Sequence, residues 1–213
     1  MSGNKPDTFV YLVDDEFAVR DSLTLLIEST GQTVRSFASA EAFLDNYNPE
    51  QPGCLLLDVR MPSMSGLELQ GELLRREIFI PIIFLSGHAG IPDSAKAFRA
   101  GAVDFLEKPF DNEILLERIE EAIKKDIASK ERLIEYREIQ NSLDHLTVRE
   151  KEVLSLIVRG HSNKEMARML DISNRTIEAH RASIMEKMHA NSLAELMVMV
   201  THSEMLNDNF HRS

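Results

Sequence analysis

Short, mainly apolar runs recur along the first 125 residues of the chain, and patterns with the spacing of helices separate them. Alternation of this kind predicts strands that are connected by helices, which build a parallel sheet covered on both faces. The sequence therefore predicts an α/β fold with a doubly wound, five-stranded parallel sheet. The predicted strands are residues 9–13, 34–37, 54–57, 82–85 and 103–106.

The C-terminal segment carries only helical patterns and predicts an all-α, four-helix domain. Two of its helices begin with a capping box, formed by Thr147 with Glu150 and by Ser162 with Glu165. A three-residue turn separates the second helix from the third, so this pair has the shape of a helix-turn-helix. The predicted helices are residues 148–159, 163–170, 174–188 and 193–200.

The helical spacing continues through residues 126–144 without Gly or Pro and among many charges. We therefore predict two domains, residues 1–125 and 145–213, joined by a helical linker at 126–144. Two interpretations of the linker remain open, a solvated charged helix and a coiled coil.

The net charge of −11 argues at first against a nucleic-acid partner. The charge is uneven, however, because residues 1–125 carry 12 basic and 21 acidic side chains, whereas residues 145–213 carry nine of each. An acidic first domain and a neutral second domain indicate two different tasks, and the second remains compatible with DNA.

We expect the protein to be cytoplasmic and to have no membrane partner. The first residues place one lysine before a short apolar run that ends in acids, which is the reverse of a secretory signal. No apolar run approaches the ~20 residues that span a bilayer. The single cysteine, Cys54, lies within an apolar run, which predicts a buried free thiol and excludes an internal disulfide.

Polar side chains follow four of the predicted strands: Asp14 and Asp15, Asp58, Ser86, and Lys108. Because ligands bind beyond the carboxyl ends of parallel strands, we expect these residues to share one pocket. Clustered carboxylates repel one another, and a divalent cation relieves the repulsion; oxygen ligands favour Mg²⁺. With a lysine and a hydroxyl nearby, the pocket suits a phosphoryl group, with Asp58 as the nucleophile.

The acidic pair, the run D-V-R-M-P-S-M-S-G from Asp58 to Gly66, the Ser86-Gly87 pair and Lys108-Pro109 resemble the receiver domain of two-component systems. The resemblance covers the whole N-terminal half. It implies a CheY-like receiver with the flavodoxin-like strand order and phosphoryl transfer from a sensor histidine kinase to Asp58. It also implies that the receiver catalyses its own phosphorylation and, slowly, its own dephosphorylation. The protein would thus be a regulator and not a dedicated enzyme.

The same resemblance implies the ligands of the metal ion. Asp15 and Asp58 would bind Mg²⁺ directly together with the backbone carbonyl of Arg60, and Asp14 would act largely through water. We expect the side chains of Arg60 and His88 to flank Asp58 and to shield its acylphosphate from water.

The resemblance further implies a switch. Ser86 and Phe105 would be the switch pair, in which the hydroxyl moves to the phosphoryl group and the ring turns inward, while Lys108 would hold the phosphoryl charge. Many relatives have Thr and Tyr at these two positions.

A phosphatase of the haloacid dehalogenase type is an alternative, because it also phosphorylates an aspartate. In those enzymes the nucleophile follows the first strand, and an acid two residues later is the general acid. Asp14 and Glu16 permit this superficially, but the Asp-x-Asp-x-Thr/Val pattern and the cap insertion are missing.

Residues 146–200 resemble the LuxR-type helix-turn-helix, and its combination with a receiver resembles the FixJ-type subgroup. The resemblance implies that residues 174–188 form a recognition helix in the major groove of double-stranded DNA. An RNA-binding output is disfavoured because residues 145–200 lack aromatic side chains other than histidine. The subgroup implies transcriptional activation with RNA polymerase as a partner.

The chemistry of the recognition helix separates a core face from a reading face. Ile177, Ile184 and Met188 recur with helical spacing and should face the core. The predicted DNA contacts to phosphates or bases are Lys164, Arg175, Thr176, Glu178, Ala179, His180, Arg181, Ala182 and Lys187.

Phosphorylation is expected to produce a homodimer. The hypothesis is that the face made by residues 93–99 and 103–106 rearranges, so that Lys96 and Arg99 pair with Asp104 or Glu107 of a second molecule. Receiver dimerisation would then bring two DNA-binding domains together and raise their effective concentration, or it would release a domain that is held against the receiver.

Overall fold

The structure is a computed structural model that describes residues 7–87 and 97–210, with the backbone alone for residues 202–210. The chain divides into two compact units, Met1–Lys130 and Glu131–Ser213.

The first unit contains a sheet of five strands in the order β2-β1-β3-β4-β5, and every pairing is parallel. This is the flavodoxin-like order, so the predicted sheet is confirmed. The strands are β1 (Phe9–Val13), β2 (Thr33–Phe37), β3 (Gly53–Asp58), β4 (Ile82–Ser86) and β5 (Asp104–Glu107). The helices are α1 (Phe17–Glu28), α2 (Ala40–Asn46), α3 (Gly66–Arg75) and the beginning of α4 (Asn112–Asp144).

Alternate side chains of the central strands pack into two apolar layers, one on each face of the sheet. Tyr11 and Leu55 belong to the layer that α2 and α3 cover, while Leu12 and Leu56 belong to the layer that α1 and α4 cover. Cys54 is fully buried in the second layer, and burial raises the pKa of its thiol, so the prediction of a buried free thiol is confirmed. The central strands are therefore apolar on both faces, as doubly wound sheets require.

Helix α4 is tied to the sheet through Asp126, which is almost fully buried. Its Oδ2 atom accepts hydrogen bonds from the backbone amide of Gly53 at 2.8 Å and from Lys130 Nζ at 2.5 Å. Lys130 Nζ also donates to the carbonyl oxygen of Gln51 at 3.3 Å. The first turn of the predicted linker is thus bonded to the start of β3, the strand that ends at Asp58.

Replacing Asp126 with alanine is expected to lower the free energy of unfolding of the first unit by about 1–3 kcal/mol, because a buried amide and a half-buried ammonium group lose their acceptor. Urea denaturation measures the change. Glu120 and Lys124 form an exposed pair with the same i, i+4 spacing on the same helix, so Glu120→Ala is the matched control. An equal effect of both substitutions would contradict the assigned role of Asp126.

The second unit consists of the end of α4 and four further helices around one apolar core. The helices are α5 (Val148–Val158), α6 (Asn163–Leu170), α7 (Asn174–Lys187) and α8 (Leu193–Phe210). Helix α8 extends ten residues beyond the predicted end at residue 200, so that predicted boundary was wrong. Ile177, Ile184 and Met188 are fully buried in the core, as predicted from their spacing.

Candidate functional site

The acidic pocket lies at the carboxyl edge of the sheet. Asp14 follows β1, Asp58 and Ser86 are the last residues of β3 and β4, and Lys108 follows β5 directly. Because β1, β3, β4 and β5 are successive neighbours in the sheet, their ends adjoin although the residues are far apart in sequence. The carboxylates of Asp14 and Asp58 and the hydroxyl of Ser86 are buried, with residue exposures of 0%, 8% and 2%.

Lys108 bridges the two buried carboxylates. Its Nζ atom lies 2.8 Å from Asp14 Oδ2 and 2.9 Å from Asp58 Oδ1. Burial lowers the pKa of Lys108, but the hydrogen bonds and charges of Asp14 and Asp58 outweigh it and raise the pKa on balance. The lysine therefore stays charged at neutral pH.

Asp58 has an elevated pKa, chiefly because burial disfavours its charged form, and Asp14 adds to the increase. Lys108 and the backbone amide of Arg60, which donates to Asp58 Oδ2 at 2.6 Å, act in the opposite direction. Two carboxylates here share one ammonium group, so the pocket has an excess negative charge when both are ionised.

Two further predicted site residues lie near this edge but are less buried. Asp15 and Arg60 have exposed side chains. The guanidinium of Arg20 donates to the carbonyl oxygens of Asp14 and Asp15 at 2.7 and 3.0 Å, which fixes the loop after β1. Phe105 is half-buried, and its ring centroid lies 6.0 Å from that of Phe84 on the neighbouring strand.

Two residues of the predicted phosphoryl shield and dimer contact, His88 and Lys96, lie outside the described residues, as does most of the predicted helix at residues 93–99. Asp104, a predicted dimer contact, forms an ion pair with Arg118 of its own chain, with 3.0 Å between Oδ2 and Nε.

Gly66 ends the motif that begins at Asp58, and the structure gives it a packing role. Its amide donates to the carbonyl of Val59 at 3.0 Å, and a Cβ atom added to it would lie 2.2 Å from the carbonyl oxygen of Asp58. Helix α3 therefore begins against the backbone of Asp58, where only glycine fits. The glycine at the end of this motif is the sequence signal for that contact, since glycine is the usual residue where two backbone segments approach closely.

The oxygen donors at this edge fit a Mg²⁺ ion. Within residues 7–87 and 97–201, no three Asp, Glu, His or Cys side chains converge as a ready-made metal site. Mg²⁺ does not need such a cage, since it commonly uses one or two carboxylates and retains several waters. The unbalanced charge on Asp14 and Asp58 is the feature of this structure that a divalent cation would neutralise.

The second unit presents a helix-turn-helix. Asp171 caps the C-terminus of α6 with a left-handed backbone, φ 53° and ψ 48°, and Ser173 caps the N-terminus of α7 by accepting from the amide of Thr176 at 3.1 Å. Residues that tolerate or promote turns thus occupy the bend. Arg149 on α5 donates to the carbonyl of Leu170 at the end of α6, which joins the two helices.

The predicted DNA contacts differ in exposure and in bonding. Arg181 is half-buried and donates to Asn163 Oδ1 at 2.9 Å, and Lys187 is bonded to Glu150 Oε2 at 2.7 Å. His180 is also half-buried. The exposed members of the predicted set are Lys164, Arg175, Thr176, Glu178, Ala179 and Ala182.

The fold and pocket of the first unit and the helix-turn-helix of the second define a class, regulators that join a phosphoacceptor domain to a DNA-binding domain. Residues 10–120 match the family described as "Response regulator receiver domain", and residues 144–200 match "Bacterial regulatory proteins, luxR family". In the described part of the chain, no helix is both long and apolar enough to cross a membrane.

Two curated proteins and one solved structure resemble most of the chain. Response regulator protein TmoT of Ectopseudomonas mendocina is 44% identical over 194 residues, which cover 91% of this chain and 88% of that protein. Transcriptional regulatory protein FixJ of Bradyrhizobium diazoefficiens is 42% identical over 200 residues, which cover 93% and 97%. The response regulator StyR is 40% identical, with a TM-score of 0.85 and coverage of 92% and 98%. The chain belongs to the FixJ-type response regulators, with a receiver domain and a LuxR-type DNA-binding domain.

Proposed function

We propose that a sensor histidine kinase phosphorylates this response regulator on Asp58, and that phosphorylation controls sequence-specific DNA binding by α7. The observation that carries the proposal is the bridge from Lys108 to Asp14 and Asp58 at 2.8 and 2.9 Å. A buried carboxylate beside a fixed cation is a suitable nucleophile for phosphoryl transfer, because the cation stabilises the charge that develops.

We propose that Asp15, Asp58 and the carbonyl of Arg60 hold Mg²⁺, with Asp14 acting largely through water. When bound, the ion would neutralise charge on the phosphoryl oxygens. Receiver domains typically bind Mg²⁺ at the phosphorylation site, which supports this assignment. Lys108 holds one oxygen of Asp58 and Asp14 holds Lys108 in place, so both side chains orient the nucleophile.

The proposed switch pair is Ser86 and Phe105. Ser86 ends the strand beside β3, and its register partner Glu107 lies two residues after Phe105 on β5. Movement of the Ser86 hydroxyl towards a phosphoryl group would leave space that the half-buried ring of Phe105 can enter. Arg60 is proposed to shield the acylphosphate from water.

The DNA-binding proposal assigns base contacts to the exposed face of α7 and phosphate contacts to its flanks. Glu178 can accept from a cytosine amino group, and Ala179 and Ala182 can contact thymine methyl groups. Arg175, Arg181 and Lys164 are proposed to bind phosphates, which position the helix without reading sequence. Thr176 and His180 complete the proposed interface.

Several partners belong to the same proposal. Residues 145–213 have no net positive charge, so one copy should bind DNA weakly, and a phosphorylation-dependent homodimer would double the contacts. The exposed side chains of Arg99 and Glu107 are proposed to contribute to the dimer. Residues 126–144 are proposed to link the two domains. The proposed outcome is activation of transcription through RNA polymerase in the cytoplasm.

Intact-mass analysis with acetyl phosphate and Mg²⁺ tests the phosphorylation site. We expect the wild-type chain to gain one phosphoryl group and the Asp58→Asn variant to gain none. Asp21 is an exposed aspartate of α1, so Asp21→Asn is the control and should be labelled like the wild type. Labelling of the Asp58→Asn variant would refute the proposed nucleophile and would revive the phosphatase alternative.

A further inference from the structure

The second unit contains two capping boxes of the same design, and they differ in the burial of the glutamate. Glu165 is exposed, and its Oε2 atom accepts from the amide and hydroxyl of Ser162 at 2.8 and 2.7 Å. Glu150 makes the same pair of bonds with Thr147 at 2.7 and 2.9 Å, yet its residue exposure is only 4%. Capping a helix therefore does not require the burial of Glu150.

The additional partners of Glu150 lie on α7. Ser183 Oγ donates to Glu150 Oε1 at 2.6 Å, and Lys187 Nζ donates to Oε2 at 2.7 Å. These two donors are four residues apart, so they lie one above the other on the same face of the helix. The pKa of Glu150 is lowered to about 2, first by the hydrogen bond from Lys187 and then by that from Ser183, so the carboxylate is charged at neutral pH.

These bonds add direction to the packing of α7, whose buried contacts are mainly apolar. Helix α7 packs through Ile177, Ile184 and Met188, which are fully buried. Apolar contacts are non-directional and tolerate small rotations, whereas hydrogen bonds to a buried charge require a narrow range of distance and angle. One carboxylate that holds two successive turns of α7 therefore fixes both the rotation and the axial position of that helix.

We infer that Glu150 is a positioning residue for DNA recognition, which sets the rotation of α7 through Ser183 and Lys187 and thereby aims its exposed face at the bases. The inference rests on the proposed function, in which α7 reads DNA. It gives Lys187 an internal role in place of the predicted phosphate contact. The exposed face of α7, with the proposed phosphate contact Arg175 and the proposed base contact Glu178, begins about two turns before Ser183 on the same helix.

Glu150→Gln tests the inference in the full-length protein treated with acetyl phosphate. The probes are a duplex selected from a random pool by the wild-type protein and a scrambled duplex of equal length. Gln is accepted in capping boxes, so the substitution keeps the cap and removes the charge. We expect about tenfold weaker binding of the selected duplex and unchanged binding of the scrambled one. Glu165→Gln, the matched control, should bind both duplexes as the wild type does.

Lys187→Met separates an internal lysine from a phosphate contact. We expect Lys187→Met to weaken binding of the selected duplex as Glu150→Gln does, and the double variant to bind that duplex no more weakly than either single variant. The slope of the logarithm of the binding constant against the logarithm of the salt concentration should stay unchanged. A slope reduced by about 1 for Lys187→Met would identify a phosphate contact and would overturn the inference. Equal losses on both duplexes for Glu150→Gln would also overturn it, since they would show a general structural defect.

Arg175→Ala distinguishes a failure of this inference from a failure of the proposed function. If Arg175→Ala weakens selected binding and Glu150→Gln does not, the inference alone is wrong. If neither Arg175→Ala nor Glu150→Gln changes binding of the selected duplex, α7 does not contact DNA as proposed, and both the inference and the proposed function are wrong.

Discussion

Replacing Lys108 with methionine is expected to slow phosphoryl transfer to Asp58 by about 100-fold, which is the usual scale for losing one group that stabilises developing charge. Methionine keeps most of the length of the side chain and removes the ammonium group that lies 2.9 Å from Asp58 Oδ1. It also leaves the buried carboxylates of Asp14 and Asp58 facing each other without their shared cation. The initial rate of labelling by acetyl phosphate measures the effect.

The same substitution should change the pH profile of the reaction. Asp58 attacks as a carboxylate, so the rate rises as the pH increases through its pKa. Burial already raises this pKa, and Lys108 partly offsets the increase, so its removal raises the pKa further. The inflection of rate against pH should therefore move to higher pH in Lys108→Met at constant Mg²⁺.

Lys124 provides the control for this experiment. It lies on α4 in an exposed ion pair with Glu120, far in sequence from the pocket, and Lys124→Met should leave both the rate and the inflection unchanged. If Lys108→Met behaved like Lys124→Met, Lys108 would have no part in the reaction, and the proposed mechanism would be wrong.

Ile184→Ala should destabilise the second unit by about 2–5 kcal/mol, the range for deleting a buried branched side chain. Ile184 is fully buried on α7, among side chains that hold this helix on the core. We expect loss of DNA binding, with labelling of Asp58 retained because the pocket lies wholly within the first unit. Urea denaturation followed by circular dichroism, with intact-mass labelling in parallel, separates the two effects.

Val198 is the comparison site for this substitution. It lies on α8 with 66% of its surface exposed, so Val198→Ala should change the unfolding free energy of the second unit by no more than about 0.5 kcal/mol. A similar loss in both variants would mean that the apolar core described for this unit does not determine its stability.

The sequence predicted the sheet, and it predicted that Asp14, Asp58 and Lys108 meet at its edge, because the signals for both are local. Each strand is a short, mainly apolar run, and four of the site residues directly follow or end one: Asp14, Asp58, Ser86 and Lys108. The order of the strands then brings these residues together through a general property of parallel sheets. The sequence also predicted the capping boxes at Thr147 and Ser162, since a capping box extends over only four residues.

The contacts that join distant segments could not be predicted from these patterns. Glu150 meets Ser183 and Lys187 across 33 and 37 positions, and Asp126 meets Gly53 across 73. From the sequence alone Glu150 is one of two equivalent capping glutamates, and Asp126 is an acid in a charged helix. Only the packing of the helices shows which acids are buried, and burial decides whether a charge needs a partner.

Binding of the selected DNA duplex by the full-length protein, with and without acetyl phosphate, tests the central claim most directly. We predict that phosphorylation strengthens binding by the wild type and by Asp21→Asn, while binding by Asp58→Asn stays at the unphosphorylated level in both conditions. Equal binding by the wild type with and without phosphorylation, at a stoichiometry that mass analysis verifies, would contradict control of DNA binding by Asp58.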